Sequence, residues 1–164
     1  MVNNCLKFEI RVKSLSIQKD KVVKAKISYI KQEGLFKAGF WDRANEKVPK
    51  IYILKDKKEI IYVGITKMPL SNRFRSGLMA SGKNGYHGYA WKQLSAKGES
   101  DSIKLYVYLF ESEERTEAIE AEIAYLIRHK TGRWPIYQTE IHFHQANIKE
   151  INMAGKIFID ISKN

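Results

Sequence analysis

A chain of 164 residues with 44% hydrophobic side chains suits one domain with its own core, and no low-complexity linker or internal repeat divides it. Lys and Arg number 29 against 18 Asp and Glu, a net charge of +11, which favours polyanions and excludes a cationic partner. One cysteine, Cys5, excludes an intrachain disulfide and a cysteine-rich zinc module, and no apolar stretch is long enough to span a membrane. The opening MVNNCLKF lacks the apolar core of a signal peptide, so a reduced, cytoplasmic setting is expected.

In chain order, residues 6–12 and 23–29 alternate apolar and charged positions and read as two half-buried strands joined through Lys19-Asp20. The segment 34–41 is aromatic and glycine-bearing, and its Phe36, Phe40 and Trp41 are expected to pack rather than to meet DNA. Two short apolar runs follow, Ile51–Leu54 and Ile60–Thr66, with the charged residues 55–59 as the loop of a hairpin. In the second run Ile61, Val63 and Ile65 alternate to one face, leaving Tyr62, Gly64 and Thr66 on the other. If Leu54 pairs with Ile60, Tyr52 lies directly opposite Tyr62.

Pro69 reads as the first residue of a helix running to about Leu78 and carrying Arg73 and Arg75. A loop at 81–85 and a helix at 86–94 follow, then the strand 103–110, dense in branched and aromatic residues. Glu113–Lys130 is a helix with Ile119, Ile123, Leu126 and Ile127 on one face, acids in its first turns and bases in its last. Lys156–Ile161 reads as a final strand. The resulting fold class is α/β (α+β): a three-stranded, mainly antiparallel sheet flanked by helices. The single domain 1–164 divides into a β-rich extension at 1–49, a core at 50–147 and a C-terminal extension at 148–164.

Two phenols beside a glycine, with an arginine one turn into the next helix, suit a phosphate site better than a core. Gly64 permits a close backbone approach, and Arg73 offers a fork of donors to a phosphate. Ile51-Tyr52, Tyr62-Val63-Gly64, Thr66 and Arg73 together resemble the GIY-YIG nuclease superfamily over residues 50 to about 147. Lys50 stands where the first motif has glycine, and Gly77 where relatives often carry histidine or tyrosine. Periodicity does not choose between Glu120 and Glu122. The resemblance, in which an aromatic and an aliphatic residue follow the metal-binding glutamate, selects Glu122 through Tyr125 and Leu126.

The resemblance implies a divalent-metal-dependent DNA endonuclease, most like the small type II restriction enzymes, acting as a homodimer on double-stranded DNA. It implies one Mg²⁺ or Mn²⁺ on Glu122, Tyr52 taking the proton of the attacking water with help from Tyr62, and Arg73 bracing the phosphate. The second proton-transfer group stays open among Tyr62, Tyr86 and His87. The late asparagine of the family has Asn147 or Gln138 as a stand-in. Gly64, Thr66, Lys67, Arg75 and Lys83 are the expected DNA contacts. The rival expectations are a structure-specific repair nuclease and a catalytically inactive basic binding module. Glu140, His142 and His144 would share a face if they lay on a strand, a lesser candidate for zinc or iron.

Overall fold

The computed structural model describes residues 5–111 and 114–164. Six strands form one sheet: β1 (Cys5–Gln18), β2 (Lys21–Gln32), β3 (Leu35–Phe36), β4 (Lys50–Asp56), β5 (Glu59–Thr66) and β6 (Ile103–Leu109). Their spatial order is β3-β2-β1-β6-β4-β5, with every neighbouring pair antiparallel. The three-stranded core expected from sequence is present as β6-β4-β5. The N-terminal strands extend that sheet through β1 on β6, which doubles it to six strands.

The helices are α1 (Leu70–Met79), α2 (Thr116–Thr131) and α3 (Ile148–Lys163). One face of the sheet buries Phe8, Ile10, Tyr52, Leu54, Leu105 and Val107 against Phe74 of α1 and Trp91 of a 3₁₀ turn at Ala90–Ser95. The other buries Ile51, Ile53, Tyr106 and Tyr108 against Ile119, Ile123 and Ile127 of α2 and Ala154, Ile157 and Ile161 of α3. Strand β4 is covered on both faces, which is why it reads as a continuous apolar run.

Three expectations are corrected. The C-terminal strand is helix α3. Asn147 caps it, accepting from the Glu150 backbone N–H while the Glu150 carboxylate accepts from that of Asn147. Its branched residues suggested a strand, but the buried positions Ala154, Ile157 and Ile161 recur at helical spacing. The helix expected at 86–94 begins only at Ala90, because Tyr86 and Tyr89 are extended and Gly88 lies at φ 69°. Residues 139–144 form no strand, so Glu140, His142 and His144 share no strand face. The start expected for α2 at Glu113 lies outside the described residues.

The aromatic segment divides. Phe40 is buried, whereas Phe36 is 73% and Trp41 59% exposed. Phe36 still meets the Tyr29 ring edge-on at 5.0 Å.

Candidate active site

The hairpin β4–β5 turns through Lys57-Lys58 and pairs Asp56 with Glu59, a tighter connection than the five-residue loop expected. A straight ladder from that turn would set Tyr52 against Val63 and send Tyr62 and Gly64 to the α2–α3 face. A bulge prevents this. Lys55 pairs with Ile60 but Leu54 with Tyr62, leaving Ile61 as the extra residue. Ile61 therefore packs on the α1 side, whereas Val63 and Ile65 face α2 and α3. Tyr52 lies opposite Gly64, not Tyr62, and the two phenol rings are diagonal neighbours 6.0 Å apart.

This register explains Gly64. A Cβ there would lie 2.5 Å from Tyr52 Cζ, so the glycine makes room for the Tyr52 ring rather than for DNA alone. Tyr52 is fully buried, and its hydroxyl shares a 2.8 Å hydrogen bond with that of Tyr89. Tyr89, which sequence reasoning did not single out, sits over Gly77. A Cβ on Gly77 would fall inside the Tyr89 ring, and one on Gly88 would fall on the Gly77 carbonyl. The two glycines let the 86–89 segment press onto α1, where Tyr89 N–H donates to Gly77 O at 3.0 Å.

A cleft of about 890 Å³ opens beside this cluster. Tyr62, Arg73, Tyr86, His87, Glu120 and Gln138 line it, as does Lys21 at the start of β2. The Arg73 guanidinium lies 5.3 Å from the Tyr89 ring centroid, and its Nη1 donates weakly to Tyr86 Oη at 3.5 Å. Its buried Nε finds no hydrogen-bond partner among the described residues. Arg73 lines the cleft, where a guanidinium is well suited to an anion.

Glu120 makes no hydrogen bond or salt bridge with any described residue. Burial pushes its carboxyl up to about 7, against the pull of Arg73. Glu122, on the far side of the same helix, is not among the cleft residues. Positions 120 and 122 are about 200° apart around an α-helix, so only one of them can face the cleft. Burial also raises the Tyr52 and Tyr62 phenols, and for Tyr62 the neighbouring Tyr52 adds to the rise. Gln138 reaches the site from beyond α2. Its Oε1 accepts from Val63 N–H and Tyr137 N–H donates to Ile61 O, which covers the exposed edge of β5. Asn147 is occupied as the α3 cap.

The remaining expected residues are dispersed. Thr66 Oγ1 accepts from Met68 N–H and shapes the turn into α1. Arg75 is exposed and donates to Asn72 Oδ1. Lys67 and Lys83 are exposed. No group of three metal-ligating side chains occurs among the described residues, but Glu140 and His142, 3.5 Å apart, do line the cleft.

Two buried lysines seat the helix that presents Arg73. Lys50, at the position of the motif glycine, is fully buried and donates to the carbonyls of Glu46, Val48 and Met68. Burial lowers its ammonium to about 8, so it stays protonated at neutral pH. Lys92 donates to Val23 O, Ala80 O and His87 O. Each ammonium thus matches three donors to three acceptors, one lysine before α1 and one after it.

Against the known protein families, residues 49–135, more than half of the chain, match the GIY-YIG catalytic domain. The chain belongs to the GIY-YIG nuclease family. No curated protein and no solved structure matches it. Family membership gives the cleft its sense: nucleases of this family act on DNA, and the tyrosine pair, Gly64 and Arg73 all fall inside the matched segment.

Proposed function

We propose that this GIY-YIG nuclease is a divalent-metal-dependent endonuclease that hydrolyses phosphodiester bonds of double-stranded DNA. The observation that carries the reading is the convergence of Tyr62, Arg73 and Glu120 on one cleft. Glu120, with no salt-bridge partner among the described residues, suits a hard, oxygen-ligated ion, whose binding would displace the proton that burial favours. Glu120, in place of Glu122, would hold Mg²⁺ or Mn²⁺, which when bound supplies charge neutralisation at the leaving oxygen. Arg73 binds the scissile phosphate and faces the charge that builds on it.

The roles of the two tyrosines are assigned by access. Tyr62 lines the cleft and can hydrogen-bond and orient the attacking water, burial holding its phenol protonated against the pull of Arg73. Tyr52 has no exposure, so its role is to hold Tyr89, and through Tyr89 the face of Arg73. This reverses the order of importance expected from the motif. His87 is exposed at the cleft and is the candidate to protonate the leaving oxygen.

We further read the protein as a type II-like restriction enzyme. One cleft cuts one strand, so double-strand cleavage is met most simply by a homodimer. Incubation of the full chain with plasmid in Mg²⁺, Mn²⁺ or EDTA tests both levels. Metal-dependent discrete fragments support restriction, nicking confined to branched or damaged DNA supports a repair role, and intact DNA in every metal overturns the nuclease.

A further inference from the structure

Residues 11–32 hold seven basic side chains and one acidic, which is six of the net +11. Beyond Ile10, the last β1 residue paired with β6, the sheet continues as a two-stranded ribbon of β1 and β2. Residues 98–100 line its β1 edge: Lys13 bridges to Glu99, Ser14 N–H donates to Gly98 O and Ser100 N–H to Val12 O. One face of this ribbon is apolar and packed, through Val12, Val22 and Ala25. The other carries Lys13 directly opposite Lys26, with Lys24 one turn of the pleat away. No salt bridge reaches any of the three among the described residues. Like charges placed directly across a strand pair destabilise the fold, and although Glu99 flanks Lys13 on its other side, Lys26 has no acidic cross-strand neighbour among the described residues.

The ribbon is fixed to the catalytic cleft. Gln93 exchanges two hydrogen bonds with the Val22 backbone, at 2.9 and 2.8 Å, and Lys92 holds Val23 O beside His87 O. Lys21, Val22 and Val23 are themselves part of the cleft wall. The lysine face is the reverse of the apolar face that packs on the α1 side with the cleft, so a duplex in the cleft would reach it around the turn end of the ribbon, where Lys21 stands. The part of β1 past Ile10 spans roughly 26 Å at the usual rise per residue, and a major groove about 12 Å wide admits a two-stranded ribbon.

We propose that the β1–β2 hairpin is the duplex-DNA grip of this protein, with Lys13, Lys24 and Lys26 on phosphates beyond those held in the cleft. The proposal rests on the nuclease reading for its ligand. Its test is the salt dependence of binding to a duplex of about 30 base pairs in EDTA, where no cutting occurs. The triple variant Lys13→Gln/Lys24→Gln/Lys26→Gln is compared with Lys130→Gln/Lys156→Gln/Lys163→Gln, which removes the same charge from α2 and α3. The hairpin variant should weaken binding at least tenfold at low salt and flatten the slope of log K against log salt by roughly 2 to 3, about 0.9 for each lost phosphate. The α2–α3 variant should keep nearly the wild-type slope, and neither should melt lower than wild type, the hairpin variant melting at or slightly above it because a like-charge pair is removed.

Equal slopes in the two triples would reduce the hairpin to one part of a diffuse field and overturn the proposal. Duplex binding that needs the hairpin but leaves DNA intact in Mg²⁺ would sustain the grip and sink the nuclease. Metal-dependent cutting with a hairpin-independent slope would do the reverse.

Discussion

Hairpins β1–β2 and β4–β5 share a plan. Each turns through two residues, with Lys19, Asp20 and Lys57 at positive φ, and each carries a register shift close to its turn. Their lysines have opposite fates. On β4, Lys50 and Lys55 are buried, their ammonium groups spent on backbone carbonyls. On β1–β2, Lys13 and Lys26 stay in solvent, facing each other. Sheet position decides this. A strand covered by helices on both faces must satisfy every polar end internally, whereas a ribbon packed on one face leaves the other free for a ligand. The proposed chemistry lies beside the covered hairpin and the charge on the accessible one.

The sharpest way to break this division is to attack the rigid side. Arg73→Ala and Glu120→Gln should each lower the cleavage rate by roughly 10²-fold or more with duplex binding largely kept, while Glu122→Gln cuts near normally. Loss of cleavage in Glu122→Gln alone would return the metal ligand to position 122. With a carboxyl near 7, the rate should fall as pH drops through 7, and that limb should vanish in Glu120→Gln. The folded carboxyl binds its proton more tightly than the unfolded one. Glu120 therefore subtracts stability above about pH 7 and none below its unfolded value. Glu120→Gln should melt higher than wild type at pH 8 and alike at pH 4.

Next in size are the tyrosines. Tyr62→Phe should lose roughly 10²-fold in turnover and Tyr52→Phe only about tenfold, since one hydroxyl faces the cleft and the other faces Tyr89. A Tyr52→Phe enzyme less active than Tyr62→Phe would restore the motif-based order. Gly77→Ala comes third. The new methyl meets the Tyr89 ring, and overpacking of this kind costs about 1–3 kcal/mol, to be read from denaturant unfolding. Smallest is Lys26→Glu, which turns a like-charge cross-strand pair into an opposite one. It should stabilise the fold by about 0.2–1 kcal/mol while weakening duplex binding, so a stabilised variant that binds DNA as well as wild type would erase the contrast between the hairpins.

Most of the core was legible because its signals are local. The alternation in β1 and β2, the branched run of β6 and the amphipathic face of α2 each announced an element within a few residues of its observed bounds. What escaped depended on one residue or on distance. The extra residue at Ile61 moved Tyr52 from Tyr62 to Gly64, a change that alternation cannot reveal. Helix α3 was hidden by branched residues, although Asn147 and Glu150 spelled a capping box. Tyr89 reaches Tyr52 from 37 residues away, and only the glycines at 77 and 88 hinted that a bulky ring would lie between them. Periodicity left Glu120 and Glu122 equivalent and the motif resemblance selected Glu122, whereas Glu120 is the one that lines the cleft.

The paired lysine clamps on α1 have a practical corollary for covalent footprinting. Amine acylation needs both a neutral amine and room for the reagent. Lys50, although its lowered pKa makes it the more nucleophilic amine, is sealed from solvent, and Lys92 is nearly so. Lysine-selective reagents will therefore pass over the seat of the catalytic helix and mark the open lysines of the β1–β2 ribbon. Protection of those marks by bound duplex would map the footprint on a protein whose active-site scaffold the labelling leaves intact.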